Sequence, residues 1–178
     1  MELRPYQVEA VESVFREWEQ GRKRTLLVQA TGTGKTICFA EVVRRVASRG
    51  GRSLILAHRG ELLEQAATKV EQTANLKCAL EKAENTSLNS WTSVTVGSVQ
   101  TLMRESRLSQ FRPDAFYCIV VDEAHHTLAE GYTRILDHFE SANVLGVTAT
   151  ADRADRKDLG EVYDSIAYEY DMAHAIND

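Results

Sequence analysis

Leu26 to Val43 reads LLVQATGTGKTICFAEVV: an apolar run, a loop holding Gly32 and Gly34, and then apolar residues at helical spacing. A strand that turns through glycines directly into a helix gathers backbone N–H groups at the positive end of that helix, and this arrangement cradles phosphate. The pattern G-x-x-x-x-G-K-[ST] is completed by Gly34, Lys35 and Thr36, but Gln29 stands where its first glycine would be. On this reading Thr31, Gly32, Thr33 and Gly34 ring a polyphosphate. Lys35 neutralises β- and γ-phosphate charge, and the Thr36 hydroxyl is placed to bind Mg²⁺. The competing reading is a glycine turn with no ligand.

The surrounding composition suits such a site. The chain has 178 residues, 43% of them hydrophobic and 26% charged, which is enough for one α/β domain with a sizeable core. The opening MELRPYQVEAVES is charged from its second residue and has no hydrophobic signal core, and no apolar run approaches the length needed to cross a membrane. A cytoplasmic protein with no membrane partner is expected. Cys38, Cys78 and Cys118 lie far apart without CxxC spacing, which points to buried thiols and not to zinc or disulfides. A net charge of -5 and a pI near 5.6 leave no basic footprint and weigh against nucleic acid.

Working outward, Val8, Val11, Val14, Phe15 and Trp18 recur at helical spacing between Pro5 and Gly21, so an amphipathic helix opens the chain. Four apolar runs follow, TLLVQ, SLILAH, CIVVDEAH and NVLGVTAT, each too continuous for a strand with one wet face. They read as buried parallel strands. Helices are expected to start near Gly34, Gly60, Ser98 and Thr127, with a weaker strand, SVTVGS, before the third. Strand and helix therefore alternate, giving an α/β fold with a central, mostly parallel sheet and helices on both faces. The polar LEKAENTSLNSW has no period and reads as a surface loop. The ending YDSIAYEYDMAHAIND reads as a helix capped by Asp171 that stops within about two turns, as though more chain followed.

In doubly wound sheets ligands sit beyond the carboxyl ends of the strands, so the end of CIVVDEAHH is the second place to look. Asp122 can hold the magnesium shell, and Glu123 can orient or activate a water for attack on a γ-phosphate. A solvated strand end, or a zinc site built on His125 and His126, would use the same letters.

These residues resemble a known group. ATGTGKT, VVDEAHH and GVTATADRAD look like motifs I, II and III of superfamily 2 helicases and translocases. The likeness is to the DEAH-type group that includes helicase subunits of type III restriction enzymes and DNA-repair helicases. LRPYQ resembles that group's adenine-recognition motif, AHRGELLEQA its motif Ia, and VGSVQTL a further nucleic-acid-contact motif. Six motifs in family order cover nearly the whole chain, and this superfamily does not require glycine at the position of Gln29.

The resemblance implies a RecA-like P-loop NTPase domain over residues 1–170. Residues 171–178 would begin a linker to a second RecA-like domain that supplies arginine fingers. It implies ATP and Mg²⁺ as ligands and DNA, ahead of RNA, as the track. Gln7 would read the N6 and N7 edge of adenine, with Arg4 on the ring; both could instead belong to the helix surface. Thr148 and Thr150 would couple the ATP site to movement on nucleic acid, with His125 bonding across to them or serving as a core histidine. Arg59, Ser98, Gln100 and Thr101 would grip the sugar-phosphate backbone, although an exposed arginine and a helix-capping serine look the same in sequence. Phosphate contacts from hydroxyls and backbone N–H groups do not need a basic surface. The family's proline after TAT is replaced by Ala151. A nucleotide-binding or regulatory module without turnover is the alternative function.

Overall fold

In the computed structural model the described residues are 2–30, 34–57, 63–82, 85–88, 90–149 and 153–170, with backbone alone at 153–155. Helix α1 (Pro5–Glu19) leads into β1 (Arg24–Gln29). Then come α2 (Lys35–Ser48), β2 (Ser53–Ala57), α3 (Leu63–Ala74), β3 (Cys78–Glu81), β4 (Val94–Ser98), α4 (Val99–Leu102) and α5 (Glu105–Leu108). The chain continues through β5 (Cys118–Asp122), α6 (Glu130–His138), β6 (Asn143–Thr148), α7 (Arg153–Leu159) and β7 (Ser165–Tyr170). A 3-10 turn, Ala124–Leu128, joins β5 to α6.

The seven strands form one sheet in the order β3-β4-β2-β5-β6-β1-β7, with every neighbouring pair parallel. Burial on both faces explains the continuous apolar runs. Leu27, Ile55, Val120 and Leu145 face α1, α2 and α3, while Leu26, Val28, Leu54, Ile119 and Val121 face the layer of α4 to α7. The opening helix buries Val11, Val14, Phe15 and Trp18, and Gly21, at φ +88°, turns the chain out of it into β1.

Two strands stand where the sequence suggested none. β3 takes the first two residues of the polar LEKAENTSLNSW, and β7 lies in the stretch read as approaching a terminal helix. Both are edge strands, paired on one side only and partly wet, so neither carries the unbroken apolar signature of the central strands. The helix expected at Ser98 is two four-residue pieces, and the one expected at Thr127 begins as the 3-10 turn. α7 was not anticipated. The suggested cap Asp171 lies outside the described residues.

Register brings the functional strand ends level. Asp122 stands beside Val147, Thr148 beside Val28, and Ala57 beside Ser98. At the other side of β1, the Ala30 N–H donates to Tyr170 O at 2.9 Å, and the Tyr170 ring lies flat on Tyr6, centroids 4.0 Å apart. Among the described residues no helix is long and apolar enough to cross a membrane.

Candidate active site

The phosphate-loop letters fall at the junction of β1 and α2. Gly34 has φ +84°, and a Cβ there would lie 2.6 Å from Gln7 Nε2. Glycine is therefore required twice, by the backbone and by the neighbouring amide. Lys35 and Thr36 occupy the first turn of α2, both half-buried, where the free N–H groups of the helix favour anions. Thr31, Gly32 and Thr33 lie outside the described residues.

Gln7 is only 4% exposed, so it is not a helix-surface residue. Its Oε1 accepts the Arg4 N–H at 2.9 Å, satisfying a backbone donor at the start of α1, while its Nε2 faces Gly34. That contact fixes which end of the amide is acceptor and which is donor. Arg4 itself is exposed.

The two carboxylates leave β5 in different ways. Asp122 ends the strand, and its Oδ1 accepts the Glu123 N–H at 2.9 Å. Glu123 sits in the left-handed region at φ 55° and ψ 59°, an uncommon backbone for a residue with a Cβ, and this kink swings its side chain towards α2. Glu123 Oε1 lies 3.7 Å from Lys35 Nζ, with the lysine 18% and the carboxylate 32% exposed. On its other side Glu123 Oε2 is 3.6 Å from His125 Nδ1. His125 is 46% exposed and its ring lies 4.2 Å from that of His126, so the core-histidine reading does not hold. Among the described residues no cluster of three or more His, Cys, Asp or Glu is placed to hold a metal. The hard oxygens of Thr36 and Asp122 fit Mg²⁺, which takes few protein ligands and draws others from phosphate and water.

Thr148 is buried at the end of β6, beside Val28 of the strand that leads into the loop. Thr150 and Ala151 lie outside the described residues, as does Arg59. Ser98 occupies the N-cap position of α4 with extended backbone, and its hydroxyl makes no capping bond. Gln100 is exposed and Thr101 half-buried on the same short helix.

Sequence reasoning missed two groups, Glu81 and Tyr163, and the contact that Gln29 makes. Glu81 is fully buried at the end of β3, where its carboxylate accepts from Thr86 Oγ1 at 2.5 Å, Ser87 N–H, Ser87 Oγ at 3.1 Å and Arg107 Nη1 at 2.7 Å. It organises the chain beside Gly97 and Ser98. Gln29 closes the neck of the phosphate loop, its Nε2 donating to Cys38 Sγ at 3.4 Å across the loop. Tyr163 bonds Thr127 from 36 residues away. Cys38 and Cys118 are buried as expected while Cys78 is half-buried; burial raises the Cys38 pKa and pushes Cys78 and Cys118 up to about 12.

Residues 1–153 match the family described as type III restriction enzyme, res subunit. Over 190 residues the chain is 36% identical to a Saccharomyces cerevisiae protein named for ATP-dependent helicase activity, IRC3; the match covers 99% of this chain and 27% of that protein. The Pyrococcus furiosus Hef helicase domain superposes with a TM-score of 0.76 at 22% identity, over 94% of this chain and 38% of that one. A Sulfolobus solfataricus SWI2/SNF2 ATPase core in complex with dsDNA superposes at 0.66 and 19% identity, over 89% and 34%. At those identities the likeness is one of fold, and the fold is RecA-like. The chain spans about a quarter of the length of the yeast relative.

Proposed function

This chain belongs to the type III restriction enzyme res-subunit family, and from that membership we propose that it is the ATP-binding motor domain of a DNA-dependent ATPase. The observation that carries the reading is the approach of Lys35 Nζ to Glu123 Oε1, 3.7 Å, at the carboxyl ends of β1 and β5. The carboxylate holds the lysine where the strand ends converge, in the place that phosphate oxygens would take.

When ATP enters, Lys35 exchanges Glu123 for β- and γ-phosphate oxygens. Glu123 is then free to accept the proton of a water whose oxygen bonds to γ-phosphorus as the bond to the β–γ bridging oxygen breaks, leaving ADP and inorganic phosphate. Thr36 and Asp122 would hold Mg²⁺, which when bound neutralises charge on the transferring phosphoryl group. Thr31, Gly32 and Thr33 would supply N–H donors to the phosphates. His125 keeps Glu123 oriented towards the water, and Thr148 and Thr150 relay the state of the phosphates to the track. Ser98, Gln100, Thr101 and Arg59 would hold the DNA backbone. DNA is favoured over RNA because a relative named a DNA 3'-5' translocase is 31% identical over 88% of this chain, against 26% over 72% for one named for RNA helicase activity. A second RecA-like domain in the same polypeptide would supply the missing cations, in an intracellular protein.

Phosphate release from ATP, with and without DNA, tests the reading in the protein at its full natural length. Lys35→Ala is expected to weaken ATP binding about tenfold to a hundredfold, the worth of a hydrogen bond to a charged group, with an unchanged circular dichroism spectrum. Unchanged binding would mean that the loop is not the phosphate cradle.

Nucleotide choice rests on Gln7. In the proposed complex the Gln7 amide accepts from adenine N6–H through Oε1 and donates to N7 through Nε2. Adenine nucleotides should bind about tenfold or more tighter than guanine nucleotides, and Gln7→Ala should erase that preference. Calorimetric titration of both series checks it; equal affinities in the unmodified protein would remove the assignment.

A further inference from the structure

Tyr163 lies outside every recognised motif, yet it touches two elements that carry them. It is 4% exposed, in the turn between α7 and β7, and its hydroxyl is 2.9 Å from Thr127 Oγ1, itself fully buried. Thr127 Oγ1 also lies 2.5 Å from Ala124 O. A carbonyl only accepts, so the single Thr127 hydroxyl hydrogen goes to Ala124, and the Tyr163 hydroxyl must donate to Thr127. The result is a directed chain, Tyr163 O–H to Thr127 O–H to Ala124 C=O, closing the 3-10 turn that begins one residue after Glu123.

The same ring fills the space over β6. A Cβ on Gly146 would lie 2.5 Å from Tyr163 Cζ and its hydroxyl oxygen, so Gly146 exists as a seat for this ring, two residues before Thr148. Burial raises the Tyr163 pKa, which keeps the phenol protonated and donating. Its backbone is fixed as well: Tyr163 N–H donates to Leu159 O at 2.8 Å.

We infer that Tyr163 is a positioning residue for ATP hydrolysis, its hydroxyl setting the turn that aims Glu123 while its ring, seated on Gly146, references that turn to the strand bearing Thr148. The inference rests on the hydrolytic reading above. Glu123 is in a strained left-handed backbone conformation, and the turn that follows is bonded back to it, His126 N–H donating to Glu123 O at 3.0 Å. A phenol that is rigid in two directions suits this task better than a flexible side chain.

The test is made in the protein at its full natural length, by steady-state ATP hydrolysis with DNA. Tyr163→Phe keeps the ring on Gly146 and removes only the donated bond. It should lower kcat about fivefold to tenfold, the rate equivalent of one hydrogen bond, with KM for ATP within about twofold. Thr127→Val should match it, whereas Thr127→Ser, which keeps the hydroxyl, should retain the rate. In single turnover, Tyr163→Phe added to Glu123→Gln should cost nothing further, because the group being aimed is already gone. The same loss in both backgrounds, or a lowered Tm with kcat unchanged, would overturn the positioning role while leaving the hydrolytic reading intact. A Glu123→Gln variant with full activity would remove both.

Discussion

Produced as these 178 residues alone, the chain is expected to bind Mg-ATP yet release phosphate about 10³ to 10⁵ times more slowly than when joined to a second RecA-like domain, the range that arginine fingers contribute to phosphoryl transfer. In the proposed reaction Lys35 meets the phosphates and Glu123 the water. The charge that develops on the γ-phosphoryl oxygens is spread over three atoms, and one lysine already shared with the β-phosphate does not neutralise it. DNA alone should not restore the rate, since the track does not supply those cations. Steady-state phosphate release by the isolated chain, with single- and double-stranded DNA, against the full-length protein, decides the matter. Strong DNA stimulation of the isolated chain would show that the cations are already present.

Glu123→Gln is expected to lower kcat about 10² to 10⁴-fold, the contribution of a positioned general base, while ATP affinity stays within about threefold. The amide fills the same space and keeps the left-handed turn, so the fold has no reason to change. It cannot accept a proton from water. Affinity is nearly spared because the Lys35–Glu123 pair it abolishes is partly exposed and contributes little. Single-turnover hydrolysis and equilibrium nucleotide titration on the same sample separate the two effects. A parallel loss of affinity and rate would identify Glu123 as a binding residue.

How much of this could be read without coordinates depended on whether the signal was local. The junction of β1 and α2 was legible because an apolar strand, a left-handed Gly34 and a helix follow one another without a break in sequence. The strands β1, β2, β5 and β6 were legible because burial on both faces leaves an unbroken apolar run. β3 and β7 failed that criterion for a physical reason: an edge strand in contact with water can be polar wherever it is wet. Glu81 looked like one more charge in a polar stretch, because the arginine that neutralises it is 26 residues away. Gln7 stood out in the sequence by its motif, but its contact with Gly34 depends on α1 packing beside the loop. Tyr163 carried no signal at all; a phenol becomes meaningful only when Thr127 and Gly146 are seen beneath it.

The end of β7 has a mechanical meaning. The residue at the root of the phosphate loop, Ala30, is hydrogen-bonded to Tyr170 O, and the Tyr170 ring is stacked on the neighbour of Gln7. The end of β7 is therefore tied by one hydrogen bond to the strand that enters α2 and by one ring pair to the opening helix. A displacement of Tyr170 is passed to the β1–α2 junction and to the opening helix together, before any strand of the central sheet has to move.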